Sequence, residues 1–400
     1  MSDLEQKVSV DPRELATEAS KSSLLLRRSL AEWSELFAEW GERPFRAKQL
    51  FRWIHHNGVL DPREMSNLSK SLRERLEQAG LQSPFTVDEV HRSADGTRKL
   101  LLALDDGQRI ECVLIPMKRG TLDSDQDEEG SAETAREGDT PGRVTLCVST
   151  QVGCAMGCGF CASGQEGLRR GLKAGEVLAQ VLIAKRYLEG DEILRNVVFM
   201  GMGEPLHHYP ETRRALELLT DVEGMNMSPR KITVSTVGLV PGIRKLGRDF
   251  GGKIGLAVSL HAPDNATRDK IMPMNRSYNV EELLKALHEY PLPNRRRITI
   301  EYTLIDGVNA SLEHARGLVA QLRGLRVKVN LIPMNPIAGS PFKAPSDATV
   351  DAFSDELTRC RVSCTVRGRK GDDVDAACGQ LALRAPKGQT LVTLRRSEQP

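Results

Sequence analysis

From residue 143 onward the chain alternates short apolar runs with helical segments, and this repeat restricts its fold more than any other feature of its 400 residues. Six runs have strand character: 144–149, 196–200, 231–235, 253–260, 297–304 and 328–332. Segments of helical periodicity lie between them, among them 174–188, 212–220, 280–289 and 312–322. Runs that are apolar throughout belong to a parallel sheet covered by helices, because parallel neighbours need crossover connections that pack on the sheet faces. The expected class is therefore α/β, with a partial (β/α)6 barrel. Each run ends in polar or glycine-rich sequence, such as Gly201-Met202-Gly203-Glu204-Pro205, Ser259-Leu260-His261 and Pro333-Met334-Asn335-Pro336. Active sites of β/α barrels gather at the C-terminal strand ends, so these six segments are expected to face one another.

The sequence ahead of the barrel reads differently. Leu30, Trp33, Leu36, Phe37 and Trp40 recur at three- and four-residue steps, Gly41-Glu42-Arg43-Pro44 breaks the pattern, and 45–56 and 68–79 resume it. Residues 98–104 and 108–115 flank Asp105-Asp106-Gly107, a hairpin signal. The chain divides into a disordered tail (1–21), a small N-terminal helical domain (22–84), a β-hairpin extension (85–118), an acidic flexible insert (119–142), the β/α core (143–345) and a C-terminal segment (346–400).

Formal net charge is +2, but residues 122–141 hold eight acids against one base, Arg136, a net −7 that leaves +9 on the rest. A basic body suits a nucleic-acid partner. Arg43, Arg46, Lys48, Arg52, Arg295, Arg296, Arg297, Arg367, Arg369 and Lys370 are candidate phosphate contacts. No apolar run is long enough to span a bilayer, and residues 1–19 are too charged for a secretory signal. The expected location is the cytoplasm, with no membrane association. Thiols stay reduced there, so eight cysteines point to metal ligation or redox chemistry rather than structural disulfides.

Cys154, Cys158 and Cys161 have the spacing C-x3-C-x2-C directly after the first barrel strand. Three thiolates on one loop ligate three irons of a four-iron cubane, which otherwise takes four cysteines, and the fourth iron stays open for a ligand. A structural zinc site with a distant fourth ligand is the competing reading. The spacing, with Phe160 just before the third cysteine, resembles the radical S-adenosylmethionine superfamily. That resemblance implies a [4Fe–4S] cluster whose open iron is chelated by S-adenosylmethionine, and it implies a radical-SAM barrel. Gly201-Met202-Gly203-Glu204-Pro205 resembles the superfamily segment that contacts the methionine amine.

The phrases GDDVDAACGQL (371–381), CVSTQVGCAMGCGFCASG (147–164), MGEP, SLHAP and IPMNP closely resemble the RlmN family, as does FRAKQLFRWI (45–54). This resemblance implies methylation of carbon 2 of adenosine in 23S rRNA and in tRNA beside the anticodon. Carbon 2 of adenine is electron-poor, so direct attack on a sulfonium methyl is closed. The resemblance implies that Cys378 first accepts a methyl group, that the methylene radical made from it adds to carbon 2, and that Glu111 takes the proton. Cys147 then forms a transient disulfide with Cys378 and frees the product. By the same carry-over Gly203, Glu204, Ser235, Ser259, Leu260, His261 and Asn335 bind S-adenosylmethionine. A flavodoxin-like electron donor and a monomeric state are the accompanying expectations. Two alternatives stand beside this reading: a Cfr-type carbon-8 adenosine methyltransferase, and a non-catalytic iron–sulfur RNA-binding protein. Cys112, Cys360 and Cys364 read as small apolar fillers.

Overall fold

Four helices open the chain: α1 (Lys21–Leu26), α2 (Leu30–Glu39), α3 (Pro44–His55) and α4 (Lys70–Gln78). The structure is a computed structural model describing residues 21–117, 141–337, 339–368 and 370–381. The expected tail lies outside the described residues apart from Lys21, and the acidic insert lies outside them apart from residues 141–142. The start of α2 is fixed by a reciprocal cap. Ser29 Oγ accepts the Glu32 N–H at 3.2 Å, and the Glu32 carboxylate accepts the Ser29 N–H at 2.7 Å. Helix α3 begins on Pro44, whose fixed φ and missing N–H suit the first helical position.

Strands β1 (Phe85–Arg92), β2 (Arg98–Leu104) and β3 (Arg109–Pro116) form an antiparallel meander. Strand β3 pairs antiparallel with β4 (Arg143–Cys147), so the expected hairpin extension is the flank of the main sheet itself. A short ribbon follows, made of β5 (Gln151–Gly153) and β6 (Leu168–Gly171), with the four-residue helix α5 (Ala162–Gln165) between them.

The remaining elements run α6 (Ala174–Lys185), β7 (Ile193–Phe199), α7 (Tyr209–Thr220), β8 (Ile232–Thr236), α8 (Val240–Phe250), β9 (Gly255–Ser259), α9 (Asn265–Ile271), α10 (Val280–His288), β10 (Ile298–Leu304), α11 (Leu312–Gln321), β11 (Val327–Pro333), α12 (Asp347–Arg359) and β12 (Cys364–Val366). The sheet order is β1-β2-β3-β4-β7-β8-β9-β10-β11-β12, and the strands from β4 to β12 are mutually parallel. All six expected parallel strands are present. Strand β12 adds a seventh, and β4 and β12 do not pair, so the barrel stays open.

Two buried elements show how the layers close. Every residue of β10 is buried, as a strand covered on both faces must be. Helix α6 is buried from Ala174 to Ala184 because the N-terminal helices cover its outer side. Their joint is Gly175: a Cβ there would come within 2.1 Å of the Ser23 carbonyl oxygen, so only glycine lets α1 lie directly on α6. Trp33, Phe37, Leu50, Phe51 and Ile54 are therefore part of one apolar core with the barrel.

Candidate active site

The β5–β6 ribbon holds the ends of the cysteine loop together. The Cys154 N–H donates to Gly167 O at 2.9 Å, and the Cys161 N–H donates to Cys158 O at 3.1 Å, closing a turn. Gly164 lets α5 approach that turn: a Cβ there would sit 2.9 Å from the Cys158 nitrogen. All three thiols line one cavity at the C-terminal ends of the parallel strands. Behind them pack Met156, Ile271, Met272, Met274, Ile305 and Met334, an apolar and polarisable shell.

Burial raises the pKa of each of the three thiols, and Cys154 and Cys158 are raised further by their cysteine neighbours. Such thiols are poor free thiolates and good metal ligands, because a coordinating cation deprotonates them outright. Among the described residues no three histidine, cysteine or carboxylate side chains converge on one metal ion.

Gly203, Glu204, Ser235, Ser259, His261 and Asn335 line the same cavity. Leu260 does not: its N–H donates to Glu301 O at 3.1 Å and its carbonyl accepts from Arg268 Nε at 3.0 Å. Glu204 is buried and accepts the N–H of Leu206 at 3.0 Å and of Val237 at 2.8 Å. Burial nevertheless pushes its carboxyl up to about 7. Gly203, at φ 101°, is required by packing on the strand behind it, since a Cβ would meet the Gln151 side chain at 2.6 Å.

His261 is also buried and in the left-handed region at φ 57°. Its Nδ1 accepts the Thr303 N–H at 2.8 Å, which puts the ring proton on Nε2, and its ring meets Phe160 edge-on at 4.6 Å. Burial, with Arg268 nearby, lowers its pKa to about 3, so the ring is neutral.

Two wall residues were not anticipated as site residues. Glu301 stands mid-strand in β10. Its Oε1 accepts from Asn330 Nδ2 at 3.1 Å, while its buried Oε2 has no partner. Arg367, expected to contact phosphate, lines this cavity. Asn335 donates through Nδ2 to Cys378 O at 2.9 Å and leaves Oδ1 buried and unpartnered. Free acceptors on Glu301 and Asn335, beside the Glu204 carboxyl, fit a ligand that brings ammonium and hydroxyl donors. S-adenosylmethionine has both.

Cys147 ends β4, paired in register with Val113 and Val198, and lines an adjoining cavity that shares Cys161, Met200, Asn335, Arg367 and Cys378 with the first. Burial and the nearby Cys378 push the Cys147 thiol up to about 12, and Arg367 opposes that rise. Cys378 is exposed and Cys147 buried, and neither is in a disulfide. Glu111 lies on β3, buried, 3.1 Å from Lys99 Nζ, and lines neither cavity. Lys99 also donates to Asp375 O at 3.2 Å.

The segment carrying Cys378 is pinned from both sides. On the meander side, the Gly371 N–H donates to Asp95 at 3.3 Å, Asp373 accepts the Ala94 N–H at 3.2 Å, and Lys370 donates to Pro116 O at 2.8 Å. On the cluster side, the Ala162 N–H donates to Gly379 O at 2.8 Å.

The other expected positions sit apart. Cys112 is a buried filler in β3, and Cys360 and Cys364 are half-buried around the end of α12. Lys48 and Arg52 both face Glu223, at 2.7 and 3.7 Å. Arg46 donates to Gln49 and to Asn67 O, and Arg296 to Lys253 O. Arg369 lies outside the described residues.

Residues 25–80 match the family model of the ribosomal RNA large subunit methyltransferase N-terminal domain, and residues 148–318 match that of the radical SAM superfamily. The dual-specificity RNA methyltransferase RlmN of Sorangium cellulosum (strain So ce56) is 56% identical over 367 residues, covering 89% of this chain and 94% of its own. That of Syntrophobacter fumaroxidans is 44% identical, covering 88% and 96%. The crystal structure of a radical SAM methyltransferase from Sphaerobacter thermophilus superposes with a TM-score of 0.80 at 42% identity, covering 89% of this chain and 98% of that one. With three cysteines at the strand ends, a second cysteine pair beside them and these relatives along nearly the whole chain, the protein belongs to the RlmN family of radical SAM RNA methyltransferases.

Proposed function

We propose that the chain methylates carbon 2 of adenosine in 23S rRNA and tRNA, with Cys378 as methyl carrier and Cys147 as its resolving thiol. The observation that carries this reading is the shared chamber: Cys147 and Cys378 line one cavity, and Cys378 also lines the cavity of Cys154, Cys158 and Cys161. The [4Fe–4S] cluster and S-adenosylmethionine, when bound, supply a transferable methyl group and a hydrogen-abstracting radical. Cys154, Cys158 and Cys161 hold the cluster. Glu204, Asn335 and Glu301 offer acceptors to the amine and hydroxyls of the cofactor, and Ser235, Ser259 and neutral His261 complete that wall.

Cys378 Sγ takes the methyl group by displacement and later presents it to the adenine, which must leave its stack to enter. Asn335 steadies the Cys378 carbonyl, so the carrier sulfur is positioned from the cofactor wall. Glu111 accepts the carbon-2 proton. Lys99 ties its carboxylate to the Asp375 carbonyl, so acceptor and carrier segment are positioned together. Once the adduct has given its unpaired electron back to the site's electron carrier, Cys147 as a thiolate attacks Cys378 Sγ: the S–S bond forms, the S–C bond to the product breaks, its electron pair takes up a proton to complete the methyl group, and an external reductant reopens the pair. In this reading the enzyme works in the cytoplasm as a monomer, reduced by a flavodoxin-like donor. Among the described residues no helix is long and apolar enough to cross a membrane.

The testing experiment is a pair of variants assayed on RNA. Cys378→Ala abolishes methylation and leaves no adduct. Cys147→Ala accumulates a covalent protein–RNA complex visible on a denaturing gel. Normal turnover by Cys147→Ala rules out the disulfide step.

A further inference from the structure

Arg268, on α9, is wholly buried, and every donor of its guanidinium is used inward. Nε donates to Leu260 O at 3.0 Å. Nη1 donates to Asn275 Oδ1 at 3.0 Å and to Tyr278 O at 3.3 Å. Nη2 donates to Val237 O at 2.6 Å and to Ser259 O at 3.2 Å. All five acceptors are neutral. Among the described residues Arg268 has no ion-pair partner; the adjacent Asp269 instead accepts from Asn275 Nδ2 at 2.8 Å. Burial lowers the Arg268 pKa only to about 10, so the charge persists at neutral pH. A buried charge without a counter-ion is costly, and neutral hydrogen bonds offset only part of that cost.

The surroundings show where the counter-ion belongs. The segment that carries Arg268 packs directly behind the cysteine loop. The Gly159 N–H donates to Ile271 O at 3.0 Å, and Ile271, Met272 and Met274 share an apolar cluster with Cys154 and Cys158. The titratable groups that face the guanidinium are Cys158, Asp269 and His261, and the last is neutral. Arg268 does not line the cavity, so it acts on an occupant through its field and through the strand ends it ties together.

We propose that Arg268 is a positioning residue that serves as the fixed counter-charge of the iron–sulfur cluster and favours its reduced state. The proposal rests on the reading that Cys154, Cys158 and Cys161 hold a cubane. Three thiolates around an oxidised cubane leave one net negative charge. One electron from an external low-potential reductant makes it two. A cation fixed in an apolar shell stabilises the more negative state more strongly, and net charge and burial are established controls on cluster potential. The same guanidinium joins the C-terminal ends of β8 and β9, so the walls of the cofactor site keep their spacing around the cluster.

The test compares Arg268→Gln and Arg268→Lys in the full chain, reconstituted anaerobically without S-adenosylmethionine. Iron and sulfide are counted, and the cluster is titrated against potential by electron paramagnetic resonance. Arg268→Gln is expected to shift the potential to more negative values. Arg268→Lys, which keeps the charge and loses the fork, is expected to stay near wild type while melting at a lower temperature. An unshifted Gln variant with a full cluster overturns the proposal, as does a Lys variant shifted as far as the Gln variant. If the Gln variant holds no cluster, the Lys variant decides: retention at the wild-type potential supports the proposal, and loss overturns it. A wild-type protein that assembles no cubane defeats the functional reading instead, before this comparison begins.

Discussion

Glu204 shows how a single side chain is prepared for its ligand. Its two accepted N–H bonds hold the carboxyl toward the cavity, yet burial raises its pKa from 4.5 to about 7. Between those values the folded protein keeps a proton that the unfolded chain has released. Stability is therefore lost as pH rises through that window. The cofactor-free protein is expected to lose stability from about pH 4.5 to about pH 7 relative to Glu204→Gln, read from denaturant midpoints. A difference that is flat or of opposite sign contradicts the assignment. The residue scale is also where the sequence was least readable. Glu301 is the one charged residue of the wholly buried strand Ile298–Leu304, and a carboxylate in such a run was the available signal for a lumenal group. Arg367 looked like one more surface base because nothing in its neighbours reveals that the strand before it turns the guanidinium into the chamber. The grouping of Cys154, Cys158 and Cys161 was legible from their spacing, and the structure sets all three on one cavity wall, with Cys147 and Cys378 lining the cavity beside it.

Elements were easier to read where β-branched residues recur between helical segments, as in β8, β10 and β11; β10 is buried along its whole length, while β8 largely alternates buried with half-buried residues. Strand β12 has half-exposed Cys364 and exposed Thr365 and Val366, so no apolar pattern marks it. Strand β1 is mostly exposed toward the sheet edge and lacks such a run for the same reason. The seating of α1 on α6 was not legible either, since it depends on a missing Cβ at Gly175. Gly175→Ala forces that Cβ against the Ser23 carbonyl and is expected to cost about 1–3 kcal/mol, measured by urea denaturation. An unchanged midpoint shows that α1 does not bear on α6. His55 offers the converse case. Its ring is buried against Phe51 at a 3.9 Å centroid distance, and neither ring nitrogen has a partner. Burial lowers its pKa to about 3, so His55 opposes folding as pH falls from 6.5 toward that value. His55→Leu is expected to remove this acid lability, read from melting temperatures across that range; an unaltered pH profile contradicts it.

At the scale of the molecule, the meander, the cluster loop and the C-terminal segment form one construction around the chamber. Lys99 is its central joint, buried beside Glu111 and bonded to the carbonyl of Asp375. Lys99→Met removes a cation from a buried pair, which is expected to cost about 3–5 kcal/mol. It should also speed hydrogen exchange across residues 371–381 while leaving cluster iron unchanged. Exchange at the wild-type rate in that segment contradicts a docking role for the meander. The barrel and its active end were foreseeable from the strand–helix repeat, whereas the continuity of the meander with the sheet depends on the β3–β4 pairing across a long connection. The most direct measurement for the whole account is nucleoside mass spectrometry of ribosomal and transfer RNA from cells lacking the gene and from the same cells carrying it. The account predicts 2-methyladenosine in both RNA classes only when the gene is present and Cys378 is intact. Appearance of 8-methyladenosine instead, or 2-methyladenosine made by the Cys378→Ala protein, contradicts it.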